Sequence, residues 1–128
     1  MEKYSIEGTE KTPEINFDYE SGHLEIRGKS VPEDSFKFFE PMNAWLDEYV
    51  VNPKPETELN VALEYFNTSS AKVLSEVFKK MNQLDKLGKS AIKINWVYEE
   101  DDDDMLEAGH DYQRTIDVPL NFVAIESF

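Results

Sequence analysis

At 128 residues the chain has the length of one domain and can bury a sizeable core. Its 13 Lys and Arg against 27 Asp and Glu give a formal charge of −14, which repels phosphate backbones and anionic headgroups, so neither nucleic acid nor a membrane surface is expected as a partner. The absence of cysteine rules out disulfides, thiolate nucleophiles and cysteine zinc sites, and MEKYSIEGTE lacks a basic segment followed by an apolar one, so a cytoplasmic location is expected.

In chain order, Ile15-Asn16-Phe17-Asp18-Tyr19 alternates apolar with polar, Glu20-Ser21-Gly22 turns, and His23 to Gly28 alternates again, which predicts a β-hairpin. Ser30-Val31-Pro32-Glu33-Asp34-Ser35 offers a proline and short side-chain acceptors, the signature of a helix start. From Phe36 to Val51, Phe38, Met42, Trp45, Leu46 and Tyr49 recur at helical spacing, with Pro41 expected to kink or restart the helix. Asn52-Pro53-Lys54-Pro55 ends it, and Leu59 to Phe66 reads as a central strand.

Directly after that strand comes Asn67-Thr68-Ser69-Ser70, and then Ala71, Leu74, Val77, Phe78, Met81 and Leu84 mark a long amphipathic helix closed by Gly88. Ala91 to Tyr98 predicts a strand, Asp101 to about Gln113 a short helix opened by acids, and Val118 to Ile125 a last strand. The order is β-β-α-β-α-β-α-β. This is a single α/β domain, residues 1–128, with a mixed sheet of about five strands, an N-terminal hairpin and three helices.

The turn Asn67-Thr68-Ser69-Ser70 lies at the C-terminal end of a strand predicted to be parallel, where binding sites of α/β sheets concentrate. A helix start presents free backbone amides and about half a unit of positive charge, so a phosphate placed on Thr68 gains hydrogen bonds and a favourable field. Lys72, one turn on, is placed to fold back towards it. The plainer reading of the same residues is an N-cap, Asn67 or Thr68, with Ser69 and Ser70 filling the first turn.

Three other groupings stand out. Glu99 to Asp104 with Glu107 put seven acids in nine positions; a divalent-cation site or a small metal-dependent enzyme is one reading, but the run lacks the glycine and alternating spacing of a calcium loop, and a solvated loop before a helix is the other. Lys72, Lys79, Lys80, Lys86, Lys89 and Lys93 make the second long helix locally basic, either a mixed surface or a docking face for an acidic helix. Phe38, Phe39, Trp45 and Tyr49 form either a contact patch or core. His23 and His110 stand apart from any triad or ligand pattern, and no glycine-rich phosphate loop occurs, so no catalytic residues and no cofactor are expected.

Three segments together carry a family resemblance: Gly8-Thr9 with Thr12-Pro13-Glu14-Ile15, Gly28 through Ser35, and Leu63-Glu64-Tyr65-Phe66-Asn67-Thr68-Ser69-Ser70. Through them the chain resembles the SiaC family of regulatory phosphoproteins along nearly its whole length. The resemblance implies a STAS-like partner-switching protein that is not an enzyme, with its phosphorylated hydroxyl at a strand-to-helix turn. By the same resemblance Thr68 would be the phosphoacceptor; together with the turn itself this makes Asn67, Ser69, Ser70 and Lys72 the expected partner-binding surface around it. A kinase resembling SiaB would add the phosphate and a metal-dependent phosphatase resembling SiaA would remove it. The unphosphorylated form would bind and activate a diguanylate cyclase resembling SiaD, in biofilm and cyclic-di-GMP control.

Overall fold

The computed structural model describes all residues, Met1–Phe128. Six strands form one sheet in the order of the chain: β1 (Tyr4–Ile6), β2 (Glu14–Asp18), β3 (His23–Ser30), β4 (Glu56–Phe66), β5 (Ala91–Glu99) and β6 (Leu120–Ile125). The β1–β2 and β2–β3 pairs are antiparallel; β3 to β6 run parallel, joined by α1 (Ser35–Tyr49), α2 (Thr68–Lys86) and α3 (Asp103–Gln113). The sheet therefore has six strands where about five are expected from sequence. The extra one, β1, is too short to show alternation and depends on distant contacts: it pairs with β2, and the Trp45 indole N–H donates to the Glu2 carbonyl at 2.7 Å.

The strand order never reverses, so each parallel crossover steps in the same direction and, with a common hand, drops its helix on the same face. That face carries Ile15, Phe17, Leu24, Ile26, Leu59, Val61, Leu63, Ile94 and Trp96, which join the buried residues of all three helices in one core. The helices bury a single stripe each; in α2 it is Ser70, Leu74, Val77, Phe78, Met81 and Leu84. Trp96 anchors the third helix, its indole N–H donating to the Met105 carbonyl at 2.9 Å. There α3 comes so close that a Cβ on Gly109 would stand 2.6 Å from Phe122 and 2.7 Å from Trp96, which only glycine tolerates.

The opposite face has no helix over it and is polar. Ser5, Asn16, Glu25, Asn60, Asn95 and Asn121 are register partners across all six strands. Ser5 donates to Asn16, Asn60 to Glu25, and Asn121 to Asn95, so the row saturates much of its own hydrogen bonding.

Two expectations change. Helix α1 runs unbroken through Pro41, because Phe39, Met42, Trp45 and Leu46 on either side are buried and hold the segment helical against the lost bond. Phe38, Phe39, Trp45 and Tyr49 belong to the core rather than to a contact patch: Trp45 stacks on Tyr49 with centroids 5.2 Å apart and Phe39 is 1 % exposed, whereas Phe36, in the first turn, stays in solvent. Helix α3 starts at Asp103 rather than Asp101, since Asp102 is its N-cap and accepts from the Met105 amide at 3.0 Å.

Candidate functional site

All three helices begin along the C-terminal edge of the parallel strands. Because the strand order does not reverse, no crevice opens there between helices on opposite faces; the edge is a row of helix starts on one side. At its middle, β4 ends at Phe66, opposite Ser30 of β3, and α2 starts two residues later.

Asn67 caps α2. Its backbone is extended, its side-chain oxygen accepts from the Ser70 amide at 2.9 Å, and its own amide donates to the Ser30 carbonyl at 2.9 Å. This cap fixes the rotation of the helix, and with it the fate of each hydroxyl in the turn.

Ser70 falls on the inward stripe and is 1 % exposed; its hydroxyl donates to the Ser30 carbonyl at 3.1 Å, which leaves Ser30 Oγ to donate to Ser70 Oγ at 2.7 Å. The sequence reading put Ser70 with its neighbours on an exposed binding surface. The structure turns it inward instead, because it stands four positions before the core residue Leu74, on the same helix face. Ser69 is exposed but engaged, donating to Asn67 Oδ1 at 3.1 Å and accepting from Ser35 Oγ at 2.6 Å.

Thr68 is the remaining hydroxyl. It is the first residue of α2, it is exposed, and its side chain makes no hydrogen bond within the chain. The amides of Thr68 and Ser69 also lack an acceptor, as the first amides of a helix do. Lys72 follows one turn later on the same exposed stripe and forms no ion pair.

Ser30 and Ser35 belong to this corner although they lie more than thirty residues from Thr68 in the chain. Sequence reasoning saw them only as part of a helix start. Ser35 opens α1 and touches Ser69 near the start of α2, so two helix N-termini adjoin and their positive ends reinforce one another. The signal available in sequence was the segment Gly28 through Ser35, which carried the resemblance without indicating where it folds.

On the other side of the turn, Tyr112 of α3 donates to the Ala71 carbonyl at 2.8 Å and ties α3 to the first turn of α2. Burial pushes its phenol up from 10.0 to about 12, so it remains a donor well into the alkaline range. Phe66, Ala71 and Tyr112, with Thr68 and Lys72, line a shallow trough of about 380 Å³.

The acidic run acts as helix chemistry. Asp102 caps α3 and Asp103 and Asp104 lie in its first turn, where carboxylates favour the helix dipole. No group of three or more of its carboxylates and histidines is arranged to hold a metal ion. The basic face of α2 is partly neutralised, since Lys79 lies 3.5 Å from Glu76 and Lys80 lies 3.3 Å from Asp47. His23 and His110 lie apart from the turn, the first 3.7 Å from Glu58 and the second against the Phe122 ring. No helix is long and apolar enough to cross a membrane.

Comparison with known proteins decides the family. The sequence model of the SiaC family regulatory phosphoproteins matches residues 6–125. The chain belongs to the SiaC family. An uncharacterized protein of Pseudomonas aeruginosa strain UCBPP-PA14 is 26% identical over 120 residues, covering 94% of each chain. The solved structure of SiaC of Pseudomonas aeruginosa is similar with a TM-score of 0.87 and 26% identity, over 98% of this chain and 100% of that one. A chain in the crystal structure of the diguanylate cyclase SiaD in complex with its activator SiaC, also from Pseudomonas aeruginosa, matches with a TM-score of 0.89 and 25% identity, over 95% of this chain and 99% of that one. The mixed α/β fold and the role of a family regulatory phosphoprotein follow.

Proposed function

We propose that this protein is a partner-switching regulator whose switch is phosphorylation of Thr68, and whose unphosphorylated form binds and activates a diguanylate cyclase. A cognate kinase adds the phosphate and a phosphatase removes it, placing the protein in cyclic-di-GMP signalling and biofilm control. What carries the reading is the single free, exposed hydroxyl at the start of α2, in a turn where every neighbouring hydroxyl is engaged. Family membership and the complex of the relative SiaC with the cyclase SiaD support the choice of effector class.

The chemistry suits a switch. A phosphothreonine adds roughly −1.5 to −2 charge at neutral pH. The free amides of Thr68 and Ser69 and the Lys72 ammonium are the groups that would hold it, and they lie where two helix N-termini adjoin. Asn67, Ser69 and Lys72 supply the surrounding contact surface; Ser70 contributes only by fixing the turn from inside.

The test is to incubate the protein with a kinase resembling SiaB and ATP, locate the phosphate by mass spectrometry, and measure capture of a diguanylate cyclase resembling SiaD before and after. The expected result is phosphate on Thr68, none on the Thr68→Ala protein, and loss of the cyclase on phosphorylation. Phosphate found only at other residues rejects the assignment.

A further inference from the structure

Beyond Thr68, the trough beside it continues. A second depression of about 270 Å³ shares Phe66 and Ala108 as walls with the first, which holds about 380 Å³, so the two form one channel between the end of β4, the first turns of α2, and α3. The shared floor is apolar: Phe66 and Ala108 throughout, Met105 at one end and Ala71 and Tyr112 at the other. Tyr65 stands at the rim with 58% of its surface exposed, one of few large apolar side chains left in solvent.

The rim is charged unequally. Glu64, Asp102 and Asp104 border one half and Asp111 the other, against Lys72 alone. An apolar floor bordered by four carboxylates and one ammonium fits a side chain that is apolar and flanked by cations, and it repels an acidic segment. None of these four carboxylates is paired with a cation except Asp111, which contacts Arg114.

We propose that this channel docks a segment of the effector protein that presents one or two apolar side chains between Lys or Arg residues. The inference rests on the partner-switching reading for the existence of an effector, and names the chemistry by which one is recognised. It also connects the two sites: Thr68 lines the far half of the channel, so a phosphoryl group there enters the space the apolar side chain occupies.

The experiment titrates isotope-labelled, unphosphorylated protein with short synthetic peptides and follows amide shifts by NMR at about 0.15 M ionic strength. One peptide carries two central Leu between Lys residues, a second replaces the Leu by Ser, and a third replaces the Lys by Glu. The Leu–Lys peptide is expected to shift Phe66, Ala108 and Tyr112, with a dissociation constant below about 1 mM and roughly tenfold tighter than either control. Glu64→Lys, on an exposed side chain, should weaken it several-fold, and Ala108→Gln, which fills the floor, should weaken it about tenfold. Equal affinity for the Ser peptide, shifts confined to Asp101–Asp104, or no binding below that limit overturns the proposal. No kinase is involved, so this result and the mapping of phosphate to Thr68 stand or fall separately.

Discussion

At the N-terminal edge of the parallel strands, Tyr49, Thr57 and Ser90 form a closed circuit: the Lys54 amide donates to Tyr49 Oη at 3.4 Å, Tyr49 to Thr57 and Thr57 to Ser90 at 2.7 Å each, and Ser90 to the Lys54 carbonyl at 2.7 Å. Each proton has one acceptor, because the Ser90 bond to a carbonyl fixes the direction of the rest. At the C-terminal edge Ser30, Ser35, Ser69 and Ser70 are similarly engaged, yet Thr68 in their midst is not. The comparison teaches where this fold keeps rigidity and where it keeps reactivity. A hydroxyl that seals a buried gap cannot also meet a kinase, whereas one left in solvent beside rigid neighbours can be modified at little cost to the fold.

The hardest break falls on the closed circuit. Thr57→Val keeps the shape but leaves the Tyr49 hydroxyl, on a residue 0% exposed, without its acceptor and Ser90 without its donor. Stranding a buried donor costs about 1–3 kcal/mol. The melting temperature should fall by roughly 5–10 °C in a calorimetric scan. A fall below about 1 °C would show that the circuit is not a rigid element and that the two edges are alike.

How far this contrast was legible in the sequence depends on range. The hairpin of β2 and β3 and the stripe of α2 are local patterns and stand where periodicity puts them, with Gly88 past the end of α2 at φ +69°. The inward turn of Ser70 was also readable, since Ser70, Leu74 and Val77 share one helix face while Thr68 and Lys72 share another. Three features could not be read because their causes lie elsewhere in the chain: β1, held by β2 and Trp45; the unbroken passage of α1 through Pro41, held by core packing; and the Ser35–Ser69 contact that joins two helix starts. The channel beside Thr68 belongs with them, as its two walls come from segments about forty residues apart.

Between the two edges in rigidity stands the link from α3 to the first turn of α2. Tyr112→Phe removes one hydrogen bond, to the Ala71 carbonyl, and should cost about 0.5–1.5 kcal/mol at neutral pH. Its pH dependence gives a sharper reading. The phenol is raised from 10.0 to about 12 in the folded protein by burial, so the unfolded chain loses this proton first. The stability tied to it is fully present below pH 10 and is lost as pH climbs through about 12. Denaturant curves for wild type and Tyr112→Phe should therefore converge across that window; a constant gap would mean that the phenol is not held in this environment.

The smallest effect on stability is expected at Thr68 itself. Its hydroxyl has no partner within the chain, and the cap of α2 is Asn67, so Thr68→Ala should change unfolding free energy by less than about 0.5 kcal/mol. Asn67→Ala, one residue away, removes the acceptor for the Ser70 amide and should cost about 0.5–2 kcal/mol. Chemical denaturation of the two variants side by side measures the difference. If Thr68→Ala proved as costly as Asn67→Ala, its hydroxyl would be structural like those around it, and adding a phosphate would have to disturb the start of α2. A small value means instead that the acceptor is free and the turn is already formed, so phosphorylation changes what the surface presents without first having to refold it.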